Sequence, residues 1–410
     1  MFKDVAAEEN NPNWSDFIRR EGPLYSRIGD TRSEFARDYN RILHSTAYRR
    51  LKYKTQVFFA PENDHVCTRI EHVNHVAAIS YTIAKKCDLN TELTNAIAIG
   101  HDLGHPPFGH EGQNIISEIA EKHIGDEFWH EKNSLHFVDD LQTLPNPENK
   151  ETNLLLTYAV RDGIVCHCGE IDKDSICPRT DVIDLQGITK ADQFQPFTWE
   201  GCVVKVADKI AFLGRDIEDA VMLDILPYKE FLVECKKLVR YLVEDTRTIM
   251  SREINNTELI DTLITDLLAS SSPESGIRFS QKRLELINGL RKLNDDRIYN
   301  HPRLNQYKQL AKLMLESIFN TLAPCYAGRD TIKELEIQLS HYHLLKDSFS
   351  MWITQYTDTN QPEKIRRRFE NRVIYDLESE RAYLRAIIDY ISGMTDNFAL
   401  KVHDEIIRFM

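Results

Sequence analysis

The sequence has no long apolar run and no excess of positive charge. No stretch approaches the roughly 18 apolar residues of a membrane-spanning helix, so we expect no membrane partner. Acidic residues at Asp4, Glu8 and Glu9 stand where a signal peptide needs an apolar centre, which makes a cytoplasmic location the expectation. A net charge of −13 excludes a protein that coats nucleic acid with its whole surface. A polyanionic substrate can still bind where cations converge locally.

The sequence also lacks a recognisable disulfide framework. Its eight cysteines have no secretory context, which favours reduced thiols. Cys166, Cys168 and Cys177, with His167 among them, contain the atoms of a structural zinc site, but their spacing matches no standard zinc module. Ordinary buried or loop thiols are therefore the favoured interpretation.

Helix-breaking residues are few, with 16 glycines and 14 prolines in 410 residues, and the dominant periodicity is helical. Strand-like alternation is rare and short. The clearest helical face is formed by apolar residues spaced by three or four: Phe231, Leu232, Cys235, Leu238, Val239 and Leu242. We therefore predict an all-α fold.

Clusters of turn-forming residues divide the chain, which has no internal repeat. We predict an N-terminal extension over residues 1–30, a core over residues 31–225 and a helical C-terminal part over residues 226–410 that packs on the core. A long segment of mixed character at about 172–198 is interpreted as an irregular insertion or a small hairpin within the core.

Four residues form a candidate metal site. His101 and Asp102 end an apolar helix, where an imidazole and a carboxylate can face the same cation. His72 lies on an upstream helix and Asp208 on a later apolar segment. Each residue alone is better explained as a core histidine or a helix-terminal aspartate. The set of two nitrogen donors and two carboxylates instead suits a first-row divalent metal with positions open for water and substrate.

The order His, His-Asp, Asp is the signature of the HD superfamily, and further blocks resemble the bacterial deoxyguanosine triphosphate triphosphohydrolases. The blocks keep that family's order along nearly the whole chain: Arg41–Phe58, Arg69–His72, residues 101–110 (HDLGHPPFGH), Ala207–Asp219 and Tyr390–Asp396. The resemblance implies an HD-domain helical core. It also implies hydrolysis of a dNTP, dGTP foremost, to the deoxynucleoside and tripolyphosphate by attack at the α-phosphorus.

The resemblance further implies roles for individual residues. One divalent metal, manganese, magnesium or iron, would be held by His72, His101, Asp102 and Asp208. The catalytic group would comprise His110, the foremost acid or water-positioning residue, together with His105, His130 and Gln113. The substrate would be contacted at its phosphates by Arg69 and Lys209, and at its deoxyribose by Gln56, Phe212 and Asp216.

Two positions depart from the family's pattern. Gln113 stands three residues after His110, where the family usually has an acid, and an amide cannot relay a proton. Glu111 lies near the opposite side of the helix and is no obvious substitute. Phe212 stands where relatives often carry tyrosine, so the hydrogen bond of that hydroxyl is lost.

Two other functions remain open. A different HD phosphohydrolase, a nucleotidase or phosphodiesterase, would keep the metal site without the sugar contacts of Gln56 and Asp216. A non-catalytic nucleotide or single-strand binding protein would keep the metal for stability, and Gln113 is the feature that supports it. The released products distinguish these functions.

Weaker signals concern partners. Two basic clusters stand out: Arg49, Arg50, Lys52 and Lys54, and Lys364, Arg366, Arg367 and Arg368. Such charge runs are usually solvated helix faces. The resemblance also implies three kinds of partner: an allosteric dNTP, single-stranded nucleic acid and further copies of the chain in a homo-oligomer. The stretch Val160–Glu170, with Arg161, Asp162 and His167, either lines the substrate side or serves packing.

Overall fold

The computed structural model describes residues 2–25, 29–58, 65–168, 175–242, 255–358 and 367–408. The all-α prediction is confirmed. The sheet within these residues has two antiparallel strands, β1 (Thr143–Pro145) and β2 (Glu151–Asn153). The α-helices are α1 (Trp14–Phe17), α2 (Glu34–His44), α3 (Thr46–Arg50), α4 (Arg69–Cys87), α5 (Thr91–Gly100), α6 (Gly109–Ile124), α7 (His130–His136), α8 (Tyr158–Val165), α9 (Trp199–Met222), α10 (Tyr228–Leu242), α11 (Asn256–Ser270), α12 (Gln281–Asn294), α13 (Pro302–Leu322), α14 (Thr331–Gln338), α15 (His343–Tyr356), α16 (Glu380–Ser392) and α17 (Asp396–Ile407).

Shorter helical turns connect these elements. Four are 3₁₀ turns: Lys3–Val5, Leu51–Tyr53, Ala323–Cys325 and Gly328–Asp330. Two are π turns that extend α7 and α12: Phe137–Leu141 and Asp295–Tyr299.

Helix boundaries follow from capping chemistry. At the start of α4, Thr68 and Glu71 form a capping box. The Thr68 side chain accepts from the backbone N–H of Glu71, and the Glu71 side chain accepts from the backbone N–H of Thr68. At the start of α5, the Asn90 side chain accepts from the N–H groups of Glu92 and Leu93. A cap of this kind stabilises a helix by about 1 kcal/mol. These caps set where α4 and α5 begin, and the two helices pack against each other and against α9 in the buried core.

Hydrogen bonds connect the C-terminal helices to the core at Lys54, Thr55 and Phe108. Asp396, the first residue of α17, is buried and accepts from the backbone N–H groups of Thr55 and Phe108, both at 3.0 Å. The buried Lys54 ammonium donates to the carbonyls of His105 and, at 3.1 Å, Ser392. We call this set of bonds the C-terminal tie.

The described part of the predicted insertion, residues 175–198, contains no helix or strand, and one isolated bridge joins Ile176 to Ile277. The hairpin of the described chain lies instead at β1 and β2, where the sequence has a cluster of turn-forming residues. In the described residues, no group of metal-ligating side chains includes a cysteine. Among the helices described, none is both long enough and apolar enough to cross a bilayer.

His136 forms a second connection between the core and the C-terminal helices. Its Nδ1 lies 2.9 Å from Asp140 Oδ2 and its Nε2 lies 3.0 Å from Asp389 Oδ2, on α16. Tyr375 and Arg385 donate to the same buried Asp389 carboxylate, at 2.8 and 3.0 Å. Burial alone would lower the pKa of His136, but Asp389 and Asp140 outweigh burial and raise the pKa to about 9.

We expect His136→Gln to destabilise the protein by about 2 kcal/mol near pH 6, because Asp389 and Asp140 lose their shared cation while Arg385 and Arg372 remain paired with them. The pKa of His136 is raised in the folded state, so this stabilisation is complete below pH 6.5 and is lost as pH rises through about 9. Urea unfolding of both proteins between pH 6 and 10 measures the difference, which should narrow at high pH. The same substitution at the exposed His123 serves as the control. A pH-independent difference would contradict the assignment.

Candidate active site

Three helices bring three of the four predicted metal ligands together. His72 lies on α4, His101 caps the C-terminus of α5 and Asp208 lies on α9. Asp208 Oδ1 is 2.9 Å from His72 Nε2 and 3.7 Å from His101 Nε2. One ligand atom from each residue falls within 4.8 Å of the others, so the three groups can bind one cation.

The hydrogen bonds of His101 prepare its ring to bind a metal. Its Nδ1 lies 2.7 Å from the Ala98 carbonyl oxygen, which can only accept, so the Nδ1–H donates. The Nε2 lone pair is buried and has no hydrogen-bond partner. A buried nitrogen without a partner is costly, and a cation coordinated by Nε2 would remove that cost. The donor set therefore fits a divalent metal.

Asp102, the fourth predicted ligand, lies beside this group but outside the trio. Its Oδ2 accepts from Arg69 at 2.8 Å and its Oδ1 accepts from His105 Nδ1 at 2.8 Å. Burial would raise the pKa of Asp102, but Arg69 and His105 hold it well below the usual range. Each oxygen retains a second lone pair, so the role of Asp102 as a ligand stays a prediction.

Histidine rings extend from the metal trio in one continuous series of contacts. Neighbouring ring centroids lie 4.1 to 5.6 Å apart along the series His72, His101, His167, His130, His105 and His110. Desolvation and then the charge of Arg69 lower the pKa of His110 to about 4. At neutral pH this series therefore presents the uncharged His110 at the wall of a cavity.

Gln113 and His130 are bonded to each other. Gln113 Oε1 accepts from both the backbone N–H of His130, at 3.0 Å, and its Nδ1–H, at 2.8 Å. The amide therefore fixes the orientation and the tautomer of the His130 ring. It cannot take up the proton, so Gln113 acts on this histidine through geometry alone.

A cavity of about 260 Å³ opens next to His110 and Gln56. It is mainly apolar, and its other lining residues are Val57, Phe108, Glu111, Asn114, Tyr299, Leu304, Tyr307, Lys308 and Ala311. Lys308 Nζ lies 3.6 Å from Glu111 Oε2. The cavity thus has mainly aromatic and aliphatic walls, with one ion pair among its lining residues, a combination suited to a planar ligand.

Two buried oxygen atoms near this cavity lack a hydrogen-bond partner: Gln56 Oε1 and Asp216 Oδ1. The other oxygen of Asp216 accepts from the Tyr299 hydroxyl at 2.5 Å. Burial raises the pKa of Asp216 to about 6, against the lowering effect of Tyr299. Phe212 is half-buried on the same helix, one turn before Asp216.

The predicted phosphate-binding cations are placed differently. Arg69 is buried, and besides Asp102 its guanidinium donates to the carbonyls of Thr55 at 3.1 Å and Gln56 at 3.3 Å. Three of its five N–H groups are therefore used within the protein, which leaves two for a ligand. Lys209 is half-buried and follows Asp208 on α9. Contact of either with phosphate stays a prediction.

The two basic clusters are described only in part. In the first, Lys54 is buried in the C-terminal tie, while Arg49 and Lys52 are exposed. In the second, Lys364 and Arg366 lie outside the described residues. The allosteric and single-strand partners therefore stay predictions.

Residues of the stretch Val160–Glu170 were predicted either to line the substrate side or to serve packing. Arg161 pairs with Asp139, and Asp162 accepts from the Phe197 N–H at 2.6 Å, so both serve packing. His167 instead joins the histidine series, and Glu170 lies outside the described residues.

Several residues at the site had no predicted role. Glu131 is adjacent to His130, a predicted catalytic residue, so its place in the sequence was the available signal. Tyr299, Tyr307 and Lys308 carry no motif and follow the last matched block of the core by about 80 residues or more. Their position at the cavity results from tertiary packing of α13 and the π turn of α12.

Comparison with known proteins agrees with this architecture. A family model for the HD domain matches residues 69–213, and a model for a phosphohydrolase-associated domain matches residues 349–405. The first range includes all four predicted metal ligands, and the second includes Asp389 and Asp396.

Several relatives share the name deoxyguanosinetriphosphate triphosphohydrolase-like protein. The one from Caldanaerobacter subterraneus subsp. tengcongensis is 31% identical over 92% of this chain and 86% of its own length. The one from Desulfatibacillum aliphaticivorans is 36% identical over 70% of this chain and 73% of its own. A relative from Thiobacillus denitrificans is 29% identical over 95% and 93%. This chain belongs to the deoxyguanosinetriphosphate triphosphohydrolase-like family of HD-domain phosphohydrolases.

Proposed function

We propose that the protein hydrolyses a deoxynucleoside triphosphate, dGTP foremost, to the deoxynucleoside and tripolyphosphate by attack at the α-phosphorus. The observation that carries the proposal is the pair of buried acceptors without partners, Gln56 Oε1 and Asp216 Oδ1. A sugar hydroxyl is a donor that would satisfy one such acceptor, and a buried acceptor left unsatisfied costs about 1–3 kcal/mol.

The surroundings of that pair support a nucleoside. Gln56 also lines the cavity, and Tyr299, which bonds to Asp216, forms part of its wall. A deoxyribose at Gln56 and Asp216 would direct its base into the cavity between aromatic and aliphatic groups. Its 5′-phosphates would then extend past His110 towards the metal trio.

Hydrolysis at the phosphates of the substrate requires positive charge and groups that bind water and transfer protons. A divalent cation held by His72, His101 and Asp208, with Asp102 beside them, would offset phosphate charge and activate water. His105 donates through Nδ1 to Asp102, so its buried Nε2 is an acceptor without a partner. Burial and then the charge of Arg69 hold the pKa of His105 well below its usual range, so Nε2 is suited to accept a hydrogen bond from substrate or water and stays uncharged.

His110 is the proposed acid for the leaving 5′-oxygen. Its pKa of about 4 keeps it neutral in the free protein, so it cannot donate before substrate binds. A bound triphosphate places several negative charges near the ring and raises the pKa, because opposite charge favours the imidazolium. Protonation is therefore coupled to substrate binding, and His110 can donate as the P–O bond breaks.

Gln113→Glu is expected to raise turnover by about tenfold. A carboxylate in place of the amide oxygen, 2.8 Å from His130 Nδ1, would raise the pKa of that imidazole and make it a stronger base. Steady-state kinetics on dGTP measure the change, and Gln113→Leu should lower turnover because the ring loses its anchor. Equal or lower turnover in Gln113→Glu would show that the missing carboxylate at position 113 does not limit turnover in this protein.

The reaction itself is tested by incubating the purified protein with each dNTP and with GTP, in manganese and then in magnesium, and resolving the products by anion exchange. Asp102→Ala controls for contaminating phosphatases. Deoxynucleoside with tripolyphosphate, absent in the control, is the expected result. Monophosphate with pyrophosphate, or stepwise orthophosphate, would instead indicate a different HD phosphohydrolase. Binding without turnover under any metal would indicate a nucleotide-binding protein.

A further inference from the structure

The turn between Asp102 and His105 is held at both ends of one peptide unit by a short helix. Ser134 Oγ, on α7, accepts from the backbone N–H of Gly104 at 2.8 Å. Asn133 Nδ2, one residue earlier on the same helix, donates to the Gly104 carbonyl at 2.6 Å. Both side chains are buried, so water does not compete for these bonds. We call the two bonds the Gly104 clamp.

The clamp depends on a close approach of two backbones. A β-carbon at Gly104 would lie 2.1 Å from the backbone nitrogen of Ser134, far closer than atoms of this kind can approach. Glycine is therefore required at this position, because α7 packs directly against the turn. The close packing and the two hydrogen bonds together make the turn and α7 one rigid unit.

Packing alone does not account for Asn133. Its Oδ1 is buried and has no hydrogen-bond partner, which costs free energy. An apolar side chain of the same shape would avoid that cost. The Nδ2 group donates a second time, to Ser392 Oγ on α16 at 3.2 Å. The amide therefore connects α7 both to the turn and to the C-terminal helices.

We propose that Asn133 and Ser134 are positioning residues that set the distance between the rings of His105 and His130. His105 follows Gly104 directly, and His130 begins the helix that carries the clamp. The two ring centroids are 4.1 Å apart, the shortest separation in the histidine series. Because the clamp joins the two backbones, loss of either bond lets the rings move relative to each other. This inference rests on the proposed function, since it gives the clamp a part in catalysis.

Ser134→Ala removes one bond of the clamp with little change in volume. We expect kcat for the preferred dNTP to fall by about 100-fold and KM to stay within about twofold, because a displacement of about 1 Å among reacting groups slows the chemistry. The N–H of Gly104 loses its acceptor, so its hydrogen exchange, followed by NMR of ¹⁵N-glycine-labelled protein, should quicken by about tenfold. Ser134→Thr keeps a hydroxyl and should restore both values. Asn133→Leu removes the other bond and should lower kcat in the same way.

Ser80→Ala is the matched control, because Ser80 is as fully buried as Ser134 and its hydroxyl donates within its own helix, to Ala77 at 3.2 Å. This variant should leave kcat and the exchange of Gly104 unchanged. The proposal would be overturned if Ser134→Ala turned over substrate like Ser80→Ala, or lost kcat without a change in Gly104 exchange. If the wild type hydrolyses no dNTP, the proposed reaction fails and Gly104 exchange alone decides the clamp. Unchanged exchange in Ser134→Ala would then overturn it.

Discussion

His101→Gln is expected to lower turnover by about 1000-fold or more. Glutamine keeps much of the volume of the side chain but cannot offer the imidazole lone pair that Nε2 holds without a partner. The activation of water and the charge compensation supplied by the cation are worth several kcal/mol, and about 4 kcal/mol corresponds to a factor of 1000. Steady-state kinetics in saturating manganese, with metal content measured on the same samples, test this expectation.

The control for His101→Gln is the same substitution at the exposed His123. That variant should retain both turnover and metal. If His101→Gln lost the metal but retained turnover, the cation held by His72, His101 and Asp208 would have a structural role. If it retained both, His101 would not be a ligand.

Asp216→Ala is expected to lower kcat/KM for a dNTP by about 100-fold, because a hydrogen bond from the sugar hydroxyl to a buried carboxylate is lost. The wild type should discriminate against the matching 3′-deoxy analogue by a similar factor, since Asp216 Oδ1 would stay unsatisfied. The variant should discriminate much less. The kcat/KM values of both proteins on both substrates are compared. A general loss of structure would lower both values of the variant equally, whereas loss of the contact lowers only the value for the dNTP.

Asp261→Ala, at an exposed position on α11, is the matched control and should behave as the wild type on both substrates. Equal discrimination by wild type and Asp216→Ala would mean that Asp216 does not read the 3′ position. The site would then resemble that of a different HD phosphohydrolase.

Local sequence patterns were sufficient for the fold class. Apolar residues spaced by three or four predicted a helix over residues 231–242, which lie in α10. The hairpin was not located by sequence. Its strands have three residues each, too short for an alternating pattern to be distinguished from a loop.

The sequence predicted the part of the site whose residues belong to a motif. His72, His101 and Asp208 come from three separate helices, and their motif order led to the grouping that the fold brings together. The engagement of both Asp102 oxygens with Arg69 and His105 was not predictable, since it depends on how side chains orient after packing. The tyrosines of the cavity were missed for a related reason. Tyr299 meets Asp216 across 83 residues, and no local periodicity reports such a contact.

The C-terminal tie has a consequence for the timing of synthesis. Asp396 is translated 341 residues after Thr55 and 288 residues after Phe108, the two backbone groups that it holds. A chain folds progressively from its N-terminus as it is made, so the histidine-bearing helices can assemble while Asp396 is still untranslated. In that interval Arg69 still holds the carbonyls of Thr55 and Gln56, but the N–H groups of Thr55 and Phe108 lack their carboxylate acceptor. A ribosome-bound chain therefore lacks these two hydrogen bonds at the cavity until translation has passed α17.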